Sequence, residues 1–388
     1  MTIKERVKLV KPEMIELRRD VHMNPELPMH EFRTTKVIAE KLDELGVSFR
    51  LLDPTGIIGE IKGTKGESDH CVVLRADIDA LPMPEETGLP FASVNPGVMH
   101  ACGHDTHLAM LFGAIKVLNE CRNQFSGTVR FVFQPAEETS QGAPLVISQG
   151  ACDGADIAMA LHNYTLWETG VFYTRRGGHA ASADRFTITV TGKGAHGAGP
   201  NQGIDPIPCA AEIISALQSI VAREYDPMDT CVISVCQIHA GTRFNIIPDT
   251  VVMDGTARAF TKEVWKAIPE SMDRIIQGVA AAYRCKAELK YERLCLPVIN
   301  DDWAYDIMQK TLKKITNSSE KMQEAPITMG GEDFAAFGDK VPIVWVQLGS
   351  GLSAPMHTTK MAPNEDVIVE GAACYAQFAV DALEELNG

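Results

Sequence analysis

Three short apolar runs, each ending in polar side chains, constrain this chain more than any other feature. Cys71 to Leu74 turns acidic at Asp77 and Asp79 before Pro82, Thr128 to Phe133 exits through Gln134-Pro135-Ala136-Glu137-Glu138, and Ile157 to Leu161 delivers His162. Unbroken apolar runs of this length read as strands buried on both faces, and the amphipathic stretch Leu108 to Leu118 between the first two reads as a covering helix. Alternation of this kind predicts a parallel sheet flanked by helices, a fold that places chemistry at the carboxyl ends of its strands. The expected fold class is α/β, with a three-layer α/β/α domain.

The flanking sequence extends that domain and interrupts it. Lys4 to Val21 and Thr34 to Leu45 have helical spacing, the second ending at Gly46, which suits a helix C-cap. After Gly177-Gly178 the pattern becomes strand (Arg185 to Thr191), helix (Pro206 to Arg223), strands (Cys231 to Ile238 and Thr250 to Phe260), helix (Lys262 to Tyr283) and strand (Ala287 to Glu292). This order spells a compact, ferredoxin-like α+β unit. The chain then resumes with a helix at Trp303 to Ile315, a strand at Val341 to Leu348 and a helix at Asp366 to Leu386. The expected division is a discontinuous first domain of residues 1–183 and 295–388, with residues 184–294 inserted as a second domain.

Composition narrows the function. The 388 residues carry a formal charge of −15, and without a Lys/Arg-rich run such a surface repels phosphate backbones and anionic headgroups. Nucleic acid is therefore not an expected partner. No apolar run reaches the length of a membrane span and the N-terminus lacks a signal-peptide hydrophobic region, so a cytoplasmic protein is expected. The ten cysteines stand in scattered apolar contexts without paired zinc-ribbon spacing, as free thiols in a reducing compartment do. Cys102 is the exception.

Cys102 stands in Met99-His100-Ala101-Cys102-Gly103-His104-Asp105-Thr106-His107, where three His and one Cys fall within eight residues. This is a metal-site composition, and Cys102 and His104 project to the same side of an extended backbone. Asp105 is placed to cap the following helix, and His107 falls inside that helix as a residue that supports a ligand or packs. Spacing alone fits a satisfied loop equally well. Glu137 and Glu138 add to the metal reading, because adjacent carboxylates at a strand exit diverge, one to ligate and one to act as general base. His162 and His357 end other segments on the same expected sheet edge. Cys102, His104, Glu138, His162 and His357 together offer mixed S, N and O donors for two closely spaced divalent ions.

These residues belong to a longer series. Arg19 to Leu27, Arg75-Ala76-Asp77-Ile78-Asp79-Ala80-Leu81-Pro82, His100 to His107, Gln134 to Glu138, Thr191 to His196, Asn245 to Asp249, Gly255 to Arg258 and Gly331-Glu332-Asp333-Phe334 occur in order along the whole chain. The series resembles the amidohydrolase branch of the zinc aminoacylase and carboxypeptidase G superfamily, which includes hippurate hydrolases, indole-acetyl-amino-acid hydrolases and N-acetyl-diaminopimelate deacetylases. The resemblance implies a dinuclear site on Cys102, His104, Glu138, His162 and His357, with Cys102 as bridge and Glu137 as general base. It implies that His196 donates to the developing oxyanion, that Asn245 and Arg258 hold the substrate carboxylate, and that the inserted domain makes a homodimer or higher oligomer. A His in a Gly-rich turn fits the sequence at position 196 just as well. After the last ligand the branch commonly reads His, a small residue, Pro and an aromatic, whereas His357 here precedes Thr358-Thr359-Lys360-Met361, which leaves the acyl group open.

The resulting expectation is a metal-dependent amidohydrolase that cleaves N-acyl amino acids, using two divalent ions among zinc, manganese, cobalt and nickel. Its rivals are a di- or exopeptidase that recognises a free α-amine through Glu332 or Asp333, a catalytically idle ligand-binding relative, and a thiol hydrolase with Cys102 as nucleophile and His104 as its base. The last leaves Glu137, Glu138 and His162 unexplained.

Overall fold

The computed structural model describes residues 1–388. Two compact units make up the chain, one of Met1–His179, Ile299–Pro326 and Asp333–Gly388, the other of Ala180–Val298 and Ile327–Glu332.

In the first unit an eight-stranded sheet runs in the order Ser48–Leu51, Ile57–Lys62, Thr128–Gln134, Cys71–Asp77, Ile157–Tyr164, Ile343–Gly349, Phe172–Thr174, Met322–Glu324. Its four central strands, Thr128–Gln134 through Ile343–Gly349, are mutually parallel. Alternate residues divide the two faces, as the two-residue strand period requires. Leu74, Phe131, Met159 and Val346 meet helices Ile3–Met23, His104–Glu120 and Val367–Asn387 in the main core. These helices lie close: a Cβ on Gly113 would fall 2.0 Å from the Met14 sulfur. The opposite face carries Arg75, Asp77, Ala160, His162 and Trp345, and is covered by helix Gly142–Ser148 and the short 3-10 segment Asp333–Asp339. The three-layer expectation is met.

Register sets the site. Asp77 pairs with Gln134 and His162 with Gln347, so the polar ends of the strands arrive level along one edge. Strand Cys71–Asp77 continues past its apolar run to Asp77, because Arg75 is buried with its charge compensated. An apolar-run reading stops at the first charge; a paired charge continues the strand.

The second unit is a four-stranded antiparallel sheet in the order Cys231–Ala240, Thr250–Ala259, Ala183–Thr191, Lys286–Cys295, with helices Pro206–Arg223 and Lys262–Ala282 packed through one core. The connectivity βαββαβ is the ferredoxin-like arrangement expected. Asp205 and Thr261 cap the two helices by accepting from Ile207 and Val264 amides. Cys231–Ala240 is an edge strand whose second half is exposed.

A buried ionic cluster ties the first helix to the rest of its unit. Arg18 Nε donates to Asp105 Oδ2 at 2.7 Å, and His22 contacts Asp105 Oδ2 at 2.9 Å and Glu85 Oε1 at 3.2 Å. Asp105 is thus not the cap of helix His104–Glu120, whose N-cap is Gly103; its carboxylate turns inward to Arg18 and His22. Burial opposes the charged form of His22, but Asp105 and Glu85 outweigh it and raise the pKa to about 9. A folded pKa above the unfolded value of about 6.5 contributes stability that is complete below pH 6.5 and lost as pH rises through 9, roughly 3 kcal/mol in all. Thermal melts should therefore show the midpoint falling between pH 6.5 and 9, and His22→Gln should flatten that part of the profile.

Candidate metal centre

The sheet edge delivers its side chains from separate segments. Asp77 ends its strand and Asp79 follows it; Glu137 and Glu138 follow strand Thr128–Gln134; His162 sits near the end of Ile157–Tyr164. Cys102 and His104 flank Gly103, whose φ of +87° turns the chain into the helix. A Cβ there would lie 2.5 Å from the Asn163 side chain, so position 103 requires glycine for both conformation and space. His357 lies on the loop after strand Ile343–Gly349, itself left-handed at φ +61°, with its amide donating to Ala101 O at 2.8 Å.

All five expected ligands come together. Cys102 Sγ lies 3.4 Å from His162 Nε2 and 3.4 Å from His357 Nε2. Glu138 Oε1 is 3.6 Å from His357 Nε2 and 3.9 Å from His104 Nε2, and Glu137 Oε2 is 4.0 Å from His104 Nε2. Cys102 belongs both to a donor group with His104 and His162 and to one with Glu138 and His357.

The imidazoles are oriented for coordination. His104 Nδ1 donates to Asp79 O and Oδ1, both at 3.0 Å, and His162 Nδ1 donates to Asn163 O at 2.7 Å. In each case the outward Nε2 keeps its lone pair, which is how backing hydrogen bonds select a metal-binding tautomer. His107 stands behind: its Nδ1 donates to Asp77 Oδ1 at 2.6 Å, its Nε2 accepts from Asn163 N at 2.9 Å, and its ring packs on His162 with centroids 4.5 Å apart. Asp79 also accepts from the Glu138 amide at 3.0 Å. Its double support role, and that of Asn163, carry no sequence signal beyond nearness to a motif.

The donor set fits a cation. His104 Nε2 and Glu138 Oε1 are buried without a hydrogen-bond partner, an arrangement that is costly unless something else satisfies them. Protonation equilibria are displaced accordingly. Burial pushes Cys102 up, reinforced by Glu138, and burial raises Glu138. His162 is held low by burial and by His107. Burial opposes the charged form of His104, yet Asp77 and Cys102 raise it. Cys102, His104 and Glu138 would give up their protons to a divalent ion, whose charge would favour the thiolate, the neutral imidazole and the carboxylate.

Next to the expected ligands lies a second set of buried polar groups. Arg75 donates to Asp77 Oδ2 at 2.6 Å, to Asp333 Oδ1 at 2.7 Å and to Gln134 Oε1 at 2.9 Å. Asp333 also accepts from Gln134 Nε2 at 2.8 and 2.9 Å and from the Ala143 amide at 2.8 Å. Both its oxygens are engaged.

The remaining expected residues lie in the second unit. His196 is exposed in its Gly-rich turn and pairs with Ile246, while Gly197 N donates to Asn245 O at 2.9 Å, so His196 and Asn245 are neighbours. The Ala198 amide donates to His196 Nδ1 at 3.1 Å, leaving the neutral ring's proton on Nε2. Arg258 is half-buried on strand Thr250–Ala259, opposite Val232, on a different element from the other two.

Residues 73–381 match the model of peptidase family M20/M25/M40. The chain belongs to that family. It is 39% identical over 96% of its length, and 98% of the relative's, to an N-acetylcysteine deacetylase of Bacillus subtilis. It is 38% identical to a thermostable carboxypeptidase of Saccharolobus solfataricus, with 97% of each chain covered. A solved dinuclear metal-binding M20 peptidase from B. subtilis superposes with TM-score 0.86 at 37% identity, covering 97% of this chain and 99% of the other. The M20 chain is thus a hydrolase of amide bonds, as the motifs led one to expect.

In this M20 fold Arg75 is the cation between two buried carboxylates, and removing one partner of such a pair leaves uncompensated charge. Arg75→Met should lower unfolding stability by about 3–5 kcal/mol, read as a lower urea midpoint with an unchanged m-value.

Proposed function

We propose that this M20 hydrolase is a dinuclear amidohydrolase of N-acyl amino acids. The observation that carries the reading is the convergence of Cys102, His104, Glu138, His162 and His357 around buried donor atoms that lack partners, with Glu137 beside them. The relative named for deacetylation of N-acetylcysteine supports the substrate class.

Cys102, His104, Glu138, His162 and His357 would hold two divalent ions, with Cys102 a member of both donor groups. When bound, such ions supply Lewis acidity to a carbonyl and lower the pKa of water. Thiolate, imidazole and carboxylate together suit zinc, cobalt, nickel or manganese rather than calcium or magnesium. Glu137 acts as general base: Asp333 N donates to its Oε1 at 3.4 Å while Oε2 faces the ligand side, 4.0 Å from His104 Nε2. It takes the proton of the attacking water and returns it to the leaving amine nitrogen, so the free amino acid departs neutral at that nitrogen. His196, with its proton on Nε2, donates to the oxyanion, an interaction whose loss typically costs about a hundredfold in rate. Arg258 and Asn245 anchor the α-carboxylate, to which a planar guanidinium is well matched.

The rival that acts on unblocked peptides needs an acid free to meet an α-amine. Asp333 has both oxygens bonded within its own unit, which disfavours that use of it. A homodimer through the second unit is part of the proposal: Cys231–Ala240 presents an unpaired edge, with Ile238, Phe244 and Ile246 exposed near it, and such edges invite strand pairing. No helix is long and apolar enough to cross a membrane, and ten cysteines without a disulfide among them suit a reducing cytoplasm.

Chelated protein should gain hydrolysis of N-acetyl, N-benzoyl or indole-acetyl amino acids on addition of zinc, manganese, cobalt or nickel, with unblocked dipeptides much slower; dipeptides hydrolysed faster than every blocked substrate would overturn the assignment. Glu137→Ala should lower kcat by about a thousandfold or more while retaining two metal equivalents by elemental analysis. Near-full turnover in that variant would rule out the base.

A further inference from the structure

Glu31 is a buried acid without a role in the steps above. It immediately precedes helix Phe32–Glu44, where no side-chain cap bond is made, and it is fully buried. Its carboxylate meets three neutral donors: the Met29 amide at 3.0 Å and the Ala136 amide at 2.9 Å, both on Oε1, and the Thr55 hydroxyl at 2.6 Å on Oε2. A buried carboxylate is retained only where its lone pairs are satisfied, and here two of the three bonds go to residues in an unusual conformation.

Met29 and Ala136 are both left-handed non-glycine residues, with φ of +63° and +53°. A side chain makes that region unfavourable, so it persists only where surrounding bonds hold it. Ala136 opens the turn that carries Glu137 and Glu138. Its carbonyl accepts from Gln141 and Gly142 amides at 3.3 and 3.0 Å, and Ser140 N donates to Glu137 O at 2.7 Å. The residue before it, Pro135, has no amide proton to offer. The Ala136 amide is therefore the first donor after Gln134 that can anchor this exit, and Glu31, 105 residues away in sequence, receives it.

We propose that Glu31 is a positioning residue for the M20 centre: by accepting the Met29 and Ala136 amides on one oxygen it holds the left-handed turn that aims Glu137 and Glu138. The inference rests on the roles proposed above for those two residues. Without the carboxylate the Ala136 amide loses its acceptor and the turn relaxes toward ordinary backbone angles, which rotates the next two side chains. A misplacement of about 1 Å at a reacting group costs on the order of a hundredfold in rate.

The test uses the zinc-loaded full chain and the N-acyl amino acid that wild type hydrolyses best. At saturating zinc, Glu31→Ala should lower kcat by about 10- to 100-fold, with KM within about threefold. Glu31→Gln should stay near wild type, because its carbonyl oxygen takes the place of Oε1 and its amide donates to the Thr55 hydroxyl, which accepts as well as donates. Ala136→Gly in the Glu31→Ala background should restore most of kcat, since glycine holds a positive φ unaided. In metal-free protein, amide hydrogen exchange at Ala136 should rise at least about tenfold in Glu31→Ala and not in Glu31→Gln. Wild-type kcat in Glu31→Ala, equal damage in Glu31→Gln, or no recovery with Ala136→Gly would each overturn the proposal. Glu137→Ala run alongside separates the two readings: its retaining activity would sink the base assignment whatever Glu31 does.

Discussion

Asp77 is the point of charge compensation on which the site depends. It ends a strand buried on both sides, and each of its oxygens is engaged, one by Arg75 and one by His107. Burial opposes its ionisation, yet His104, Arg75 and His107 together keep its pKa well below the ordinary carboxylate range. An ionised, fully bonded Asp77 lets a parallel strand carry charge to the edge of the sheet without an orphaned group. Through His107 it buttresses His162, and through Arg75 it connects to Gln134 and Asp333. The proposed ligands His104 and His162 are thus backed by buried hydrogen-bonded groups, the condition under which a metal site keeps its geometry.

Three of the chain's left-handed residues stand beside the chemistry. Gly103, Ala136 and His357 have positive φ, and each adjoins or is a proposed ligand or base. Parallel strands end in line with their own axes, whereas a metal needs donors converging from several directions, so the chain must turn sharply just past each strand. Glycine accomplishes this at 103. At 136 and 357 residues with a Cβ do so, and the hydrogen bonds their amides donate to Glu31 and Ala101 offset the cost.

Much of the site was legible because the chemistry stands in short contiguous motifs. His100 to His107 and Gln134 to Glu138 show residue type and spacing together, and the apolar runs before them mark strand ends. The supporting layer was not legible. Arg75 with Asp333, Arg18 with Asp105 and Glu31 with Ala136 lie 258, 87 and 105 residues apart, beyond the reach of any local period. One expectation failed for the same reason: Asp105 read as a helix cap, whereas Arg18 and His22 claim its carboxylate.

The sequence by itself determined the α/β alternation, the inserted ferredoxin-like order and the candidate donors, because burial and backbone period act on neighbouring residues. Tertiary structure alone decided which donors meet, which nitrogen of each imidazole faces inward, which acids are occupied as supports and how the turn at Glu137 is held. Those outcomes depend on strand register and on pairing of buried charges across the fold, where the penalty for an unsatisfied group is set by partners distant in the chain.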